Sequence, residues 1–258
     1  MSLLWSIVLL LCLIIGIVGA QRAGWWWGRK RLGLFGDKAN EGLGALDAAV
    51  FGLMGLLLAF TFTGAANRFE DRRDLIDDEV NSLGTAWLRM ELLPEPARGE
   101  VRNLFREYLD GRIDVYANAG ADPLQARARL AEHTARLQAR IWERLMTATR
   151  ETPSLQQAAL LPPVNQAFDV ATTRALATEQ HPPLPIYGLL ITMVLISGFL
   201  AGFSQAKASR QSWLHIAGFA VTTTLALYLI IDLEHPRLGL IRVDGFDHAL
   251  MDLRASWQ

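Results

Sequence analysis

One face of an uncharged stretch carries side chains whose character changes in order along the chain. From Ala48 to Ala66 no side chain is ionisable, and five positions recur at spacings of three or four: Gly52, Leu56, Phe60, Thr63 and Asn67. Such spacing places them on one side of a helix. Large apolar side chains can exclude water from a narrow constriction, and polar groups beyond them can hydrogen-bond a solute. The pattern equally fits an ordinary contact between two helices.

For the polar side chains near this face, an ordinary structural role is the alternative to a role in binding ions. Thr61 and Thr63 could donate hydrogen bonds to a passing anion, yet hydroxyls in membrane helices commonly bond their own backbone. Asp47, at the start of the stretch, is expected to cap the helix rather than bind an ion. The run from Arg68 to Glu79 mixes both signs at helical spacing, which favours a solvated or intersubunit face. Its arginines could alternatively attract anions.

Metal binding has only weak support in the sequence. Four carboxylates near the C-terminus are candidates for calcium, because hard cations take oxygen ligands: Asp232, Glu234, Asp244 and Asp247. Their spacing does not require a metal, and a tail held by salt bridges to Arg237 and Arg242 is the interpretation that we favour. The 5 histidines show no paired ligand spacing, and no nucleophile, zinc-protease or phosphate-loop motif is present. We therefore expect no enzymatic activity and no cofactor other than calcium.

The elements that position these residues are membrane helices. The chain has 258 residues with a formal net charge of −1, which gives no argument for nucleic acid as a partner. Apolar runs long enough to span a bilayer are at 3–20, 48–66, 187–203 and 216–231. We expect the first run to be a retained helix rather than a cleaved signal peptide, because no Lys or Arg precedes it. The single Cys12 excludes a disulfide within one chain.

The sequence predicts an all-α membrane protein in four parts. These are two transmembrane helices with a short basic connection at 1–66, a helical extramembrane bundle at 67–182, two further transmembrane helices at 183–233, and a polar tail at 234–258. Within the bundle, Asp122 and Thr152 each precede a proline and are expected to cap helices. Pro162 and Pro163 are expected to break one segment into two.

The Lys and Arg residues of the two short segments between spans predict the membrane orientation. Trp25, Trp26 and Trp27 adjoin a basic cluster at 21–45, and a second basic connection lies at 204–212. Tryptophan beside cations suits the headgroup zone, and the excess of Lys and Arg places both connections in the cytoplasm. This rule places the bundle and both termini on the other side.

Two segments resemble those of a known family. Residues 56–73, LLLAFTFTGAANRFEDRR, resemble the second helix of bestrophin-type channels, and residues 230–250 resemble the segment after their last membrane helix. A closer likeness, through RFEDRRDLIDDEVNSLGTAWLR and LLPEPAR, is to the bacterial bestrophin-like family. The order of two spans, a large helical insert, two spans and a tail is also similar.

This resemblance implies a homopentamer in the bacterial inner membrane, in which the second helices line one ion pathway and anions are favoured over cations. It assigns the neck to Gly52, Leu56 and Phe60, and the exit to Thr63, Asn67 and Arg68. The sequence departs from the bestrophin pattern at Gly52, where a bulky apolar residue is usual, and at Phe69-Glu70, where two tryptophans are usual.

Three questions remain open at this point: the side of the bundle, the calcium site and the function. Bestrophins keep the insert in the cytoplasm, which contradicts the charge rule, so the side of the bundle is unassigned. The calcium-binding clasp of eukaryotic members has a dense acidic run that this tail lacks. The alternative function is a non-conducting membrane scaffold or sensor whose helical bundle binds a partner or ligand.

Overall fold

The computed structural model describes residues 3–35, 43–117, 123–150, 153–208, 210–236, 240–241 and 243–257. These residues form helices and short turns, and none of them is in a β-strand. The α-helices are α1 (Leu3–Phe35), α2 (Leu43–Arg89), α3 (Ala97–Ala117), α4 (Pro123–Thr149), α5 (Ser154–Ala177), α6 (Leu184–Ser204), α7 (Trp213–Glu234) and α8 (His248–Ser256).

The chain divides into two compact units. We call Met1–Phe69 with His181–Leu240 the membrane unit, and Glu70–Gln180 with Ile241–Gln258 the bundle unit. The helices α1, α2, α6 and α7 are long and apolar enough to cross a bilayer. The prediction of an all-α membrane protein with four spans and a large helical insert is therefore confirmed.

Two helices are longer than the sequence patterns predicted. α1 continues through the tryptophans and cations to Phe35, so residues 21–35 are helical rather than part of a loop. α2 has 47 residues and a length of about 70 Å, more than twice the ~30 Å hydrocarbon core, so only part of it can lie in lipid.

The predicted break at Pro162 and Pro163 is wrong, because α5 runs through both prolines. A proline inside a helix costs about 3 kcal/mol relative to alanine. Leu160, Val164 and Ala167, on either side of the pair, are buried in the core of the bundle unit, and their packing offsets this cost. The predicted caps Asp122 and Thr152 lie outside the described residues.

The membrane unit is built on close backbone packing between α1 and α6. A Cβ added at Gly24 would lie 1.9 Å from the carbonyl oxygen of Phe199, and one at Gly202 would lie 1.9 Å from that of Gln21. Gly28 and Ala206 are similarly close, since a Cβ at Gly28 would lie 2.5 Å from the Cβ of Ala206. Contacts advance in the same direction along both helices, so α1 and α6 run parallel. Small residues allow this approach in membranes.

α7 and α2 complete the membrane unit. Its core contains Ile17 of α1, Leu190 and Val194 of α6, and Ala220 and Leu227 of α7. The side chains of α2 that pack on this core are Met54, Leu57 and Leu58, together with Phe51, whose ring meets that of Phe219 edge-on at 6.1 Å.

The bundle unit contains a buried ionic network around Glu79. Both side-chain oxygens of this carboxylate accept hydrogen bonds, one from Arg112 and the other, at 2.6 Å, from Arg174. Arg174 also donates to Asp247. Burial alone would raise the pKa of Glu79, but the two guanidinium groups outweigh it and hold the pKa below its ordinary value. The network joins α2, α3, α5 and the segment preceding α8.

Replacing Gly202 with Ala should destabilise the protein, because the new methyl group would overlap backbone of α1. The overlap should cost about 1–3 kcal/mol, the usual range for overpacking. The measurement is thermal unfolding of the purified protein in detergent. Gly19→Ala is the matched control, since nothing lies within 4 Å of a Cβ at that position. An equal midpoint for the two variants would contradict the packing described.

Replacing Glu79 with Gln should cost about 3–5 kcal/mol at neutral pH, because it removes the buried carboxylate that Arg112 and Arg174 share as a countercharge. The folded-state pKa of Glu79 is depressed, so its contribution is present above the unfolded pKa of ~4.3 and is lost as pH falls through the folded pKa. The gap in unfolding midpoint between wild type and E79Q should therefore narrow in acid. Glu132→Gln, in an exposed pair with Arg136 at 3.8 Å, should change little at either pH.

Candidate functional site

The predicted neck residues lie on the outward side of α2. Leu56 is 52% exposed and Phe60 is 68% exposed, and nothing lies within 4 Å of a Cβ added at Gly52. No side chain from Gly44 to Gly64 is buried. A helix with this many exposed apolar side chains must be covered by lipid or by other protein chains in the assembled state.

The other side of the same helix is held by its own chain. Met54 and Leu57 pack on the membrane-unit core, and the buried Ala65 continues their side of the helix. Asp47 does not cap α2, because the helix begins at Leu43, and its carboxylate instead accepts a hydrogen bond of 2.6 Å from the hydroxyl of Ser204. The contacts of α2 therefore fix which face is turned outward.

The hydroxyls of Thr61 and Thr63 bond their own helix. Thr61 donates to the carbonyl of Leu57 at 2.6 Å, and Thr63 donates to that of Ala59 at 2.9 Å. Both hydroxyls therefore bond backbone carbonyls of their own helix, which is the alternative to anion binding that the sequence left open. Asn67, one turn beyond Thr63, is exposed and follows the same face.

Arg68, the predicted exit residue, is paired with a buried carboxylate. Its Nε donates to Oε1 of Glu234 at 2.8 Å, and a terminal nitrogen donates to the same oxygen. The side chain of Glu234 is fully buried, and that of Arg68 is 29% exposed. The guanidinium passes close to Gly64, where an added Cβ would be in ordinary van der Waals contact with its two terminal nitrogens, at 3.4 and 3.5 Å.

Two histidines complete the cluster at this end of the membrane unit. Nδ1 of His181 lies 3.4 Å from Oε2 of Glu234, and the ring of His181 stacks on that of His235 at 5.1 Å. Nδ1 of His235 lies 3.0 Å from the carbonyl oxygen of Ile231. Sequence reasoning missed this cluster because its members are far apart in the chain. His181 precedes Pro182 just before α6, and His235 precedes Pro236 just after α7. This shared His-Pro pattern at the boundary of a span is the signal that could have revealed them.

The other arginines expected to attract anions are also engaged. Arg72 is buried and donates to the carbonyls of Ala177 at 3.0 Å and Gln180 at 2.7 Å. Arg73 pairs with Asp74 at 3.2 Å and lies 5.9 Å from the ring centroid of Phe246. Five carboxylates of this part of α2 are exposed, namely Glu70, Asp71, Asp74, Asp77 and Asp78, and the side chain of Arg73 is 39% exposed.

Three of the four calcium candidates are held by protein groups. Asp232 accepts the backbone N–H of Leu240 at 2.9 and 3.0 Å, Glu234 pairs with Arg68, and Asp247 pairs with Arg174. The side chain of Asp244 lies outside those that the structure describes. Among the described residues, no group of three or more His, Cys, Asp or Glu side chains is arranged to hold a metal ion.

The fold and sequence match known proteins. A family model described as the bestrophin-like domain matches residues 16–245. The structure is similar to two single-substitution variants of a bacterial bestrophin homologue from Klebsiella pneumoniae, with TM-scores of 0.65 and 0.64. These are 16% and 14% identical, cover 96% and 93% of this chain, and are matched over 98% and 99% of their own length. Among curated proteins, none matches the sequence.

Calcium should not stabilise the protein, because the described candidate carboxylates already accept hydrogen bonds from cationic side chains or backbone. We expect the unfolding midpoint in detergent to be the same with millimolar calcium as with a calcium chelator. Magnesium at equal concentration controls for ionic strength. A rise in midpoint specific to calcium would contradict this assignment of the carboxylates.

Proposed function

The chain belongs to the bestrophin-like family, as the resemblance predicted, and we propose that it is an oligomeric ion channel whose α2 helices line the pathway. The observation that carries this proposal is the outward apolar face of α2, which the described residues of the chain do not cover. The bestrophin resemblance supplies the number of copies, which we take to be five, and the setting, which we take to be the bacterial inner membrane.

The side chains on the outward face support a pathway better than a lipid contact alone. Along this face the exposed positions pass from the glycine at 52 through Leu56 and Phe60 to Thr63 and Asn67. A helix that faced only hydrocarbon would have no reason to place small and polar residues on either side of two bulky ones. Around an axis, the same order gives a wide entrance, a narrow apolar neck and a wetter exit.

The neck would work by controlling hydration. A ring of Leu56 and Phe60 side chains has no polar groups that could replace the hydration shell of an ion. Conduction therefore requires the ring to widen or to hold water. Because Gly52 contributes no side chain, we take the narrow part to lie at Leu56 and Phe60 rather than one turn earlier. The departure from the bestrophin pattern at Gly52 thus shortens the neck.

Replacing Phe60 or Leu56 with Ala should raise ion flux through the purified protein in liposomes, because it widens and weakens the apolar ring. Phe62→Ala is the matched control: Phe62 is 44% exposed on the same helix, but about 200° around it from Phe60, and should leave flux near the wild-type rate. The measurement is dye-reported flux of potassium and chloride.

Two outcomes would contradict the channel proposal. The first is an absence of flux from well-folded oligomers, with or without the substitutions, which would favour the non-conducting scaffold or sensor. The second is an equal rise in flux for Phe60→Ala and Phe62→Ala, which would show that the outward face defined here does not line the pathway.

A further inference from the structure

We propose that the exposed face of α1 binds an anionic phospholipid, whose phosphate lies between Arg22 and Lys30 and beside the ring of Trp26. The ligand is recognised by two features together, a negatively charged phosphate and the acyl chains attached to it. The inference concerns the lipid contact of the membrane unit and not the ion pathway, so it does not depend on whether α2 lines one.

The site lies on the side of α1 that is opposite its packing face. The packing face consists of buried residues, namely Ile17, Gln21, Gly24 and Gly28. A helix turns by about 100° per residue. The exposed residues about half a turn around the helix from the packing face are Leu11, Ile15, Arg22, Trp26 and Lys30. A ligand on this exposed face therefore does not compete with the packing of α1 on α6.

The order of residues along the exposed face matches the order of parts in a phospholipid. Leu11 and Ile15 are large apolar side chains that can contact acyl chains. Arg22 lies about 10 Å beyond Ile15 along the helix axis, and Lys30 lies about 12 Å beyond Arg22. Because α1 has 33 residues and a length of about 50 Å, it exceeds the ~30 Å hydrocarbon core, and its last part lies among the headgroups or beyond them.

The side chains at the level of the headgroups can bind a phosphate. Nζ of Lys30 lies 5.6 Å from the centroid of the Trp26 ring. An ammonium group has three N–H donors, so this contact leaves donors for phosphate oxygens. The planar guanidinium of Arg22 can donate two parallel hydrogen bonds to a phosphate. The indole of Trp26 has an apolar body and a polar N–H, which suits the boundary between hydrocarbon and water.

The charge at this end of the membrane unit also favours an anion. Ala206 lies against Gly28 of α1, where an added Cβ would be 2.5 Å from its own Cβ. The connection after α6 therefore brings its cations next to those of α1. The described cations at this end are Arg22, Arg29, Lys30, Arg31, Lys207 and Arg210. The described carboxylate there is Asp47, which accepts a hydrogen bond from Ser204. Clustered cations at a membrane surface attract anionic lipids.

The test is native mass spectrometry of the purified protein with phosphatidylglycerol or with phosphatidylcholine that has the same acyl chains. Wild type should bind phosphatidylglycerol with the higher apparent affinity. The double variant R22Q/K30Q should bind phosphatidylglycerol roughly 25-fold more weakly, since each cation near the membrane surface contributes about fivefold to the binding of anionic lipid. Its affinity for phosphatidylcholine should stay near that of wild type.

Two controls separate this site from a general effect of charge and from a site for soluble anions. The double variant R136Q/R140Q removes the same charge from two exposed arginines of α4, and its affinity for phosphatidylglycerol should equal that of wild type. An excess of glycerol 3-phosphate supplies the phosphate without acyl chains. It should not displace phosphatidylglycerol, because the contacts with Leu11 and Ile15 are missing.

Three results would overturn the inference. They are equal affinities of wild type for the two lipids, equal affinities of R22Q/K30Q and R136Q/R140Q for phosphatidylglycerol, and displacement of the lipid by glycerol 3-phosphate. If R22Q/K30Q fails to assemble on size exclusion, the lipid preference of wild type and the displacement experiment still decide. None of these measurements involves ion flux, so a failure of this inference is distinct from a failure of the proposed channel.

Discussion

The proposed channel depends on what covers the outward apolar face of α2. No residue in the most apolar stretch of this helix is buried in its own chain, whereas 33% of the corresponding stretches of α6 and α7 are. An apolar helix can meet lipid at no cost, so exposure alone does not require a pathway. The order of small, bulky and polar residues on the exposed side is the reason that we propose a pathway rather than a plain lipid contact.

The remaining membrane helices hold α2 in one position. α1 and α6 approach through Gly24 and Gly202 until backbone meets backbone, and α7 packs on this pair. A polar contact holds each end of the α2 span: Asp47 bonds Ser204 at one end, and Arg68 bonds Glu234 at the other. Because both hydrogen bonds lie on the inward side of the helix, they fix its rotation about its own axis.

Much of the fold could be predicted from the sequence because it depends on local composition. Uncharged runs long enough to cross a bilayer identify spans, and spacing along one helix identifies the face that Leu56 and Phe60 share. What could not be predicted depends on partners distant in the chain. The sequence offers Glu234 as a candidate metal ligand, because its neighbours in the chain do not reveal that Arg68 is its partner. The effect of Pro162 and Pro163 was misjudged for the same reason, since the packing that offsets them comes from other helices.

Electron cryomicroscopy of the purified protein in lipid nanodiscs tests the central claim most directly. The account predicts several copies around one axis, with the Leu56 and Phe60 side chains of every copy directed at that axis and forming its narrowest part. A single copy, or an oligomer in which these two side chains face lipid, would contradict it.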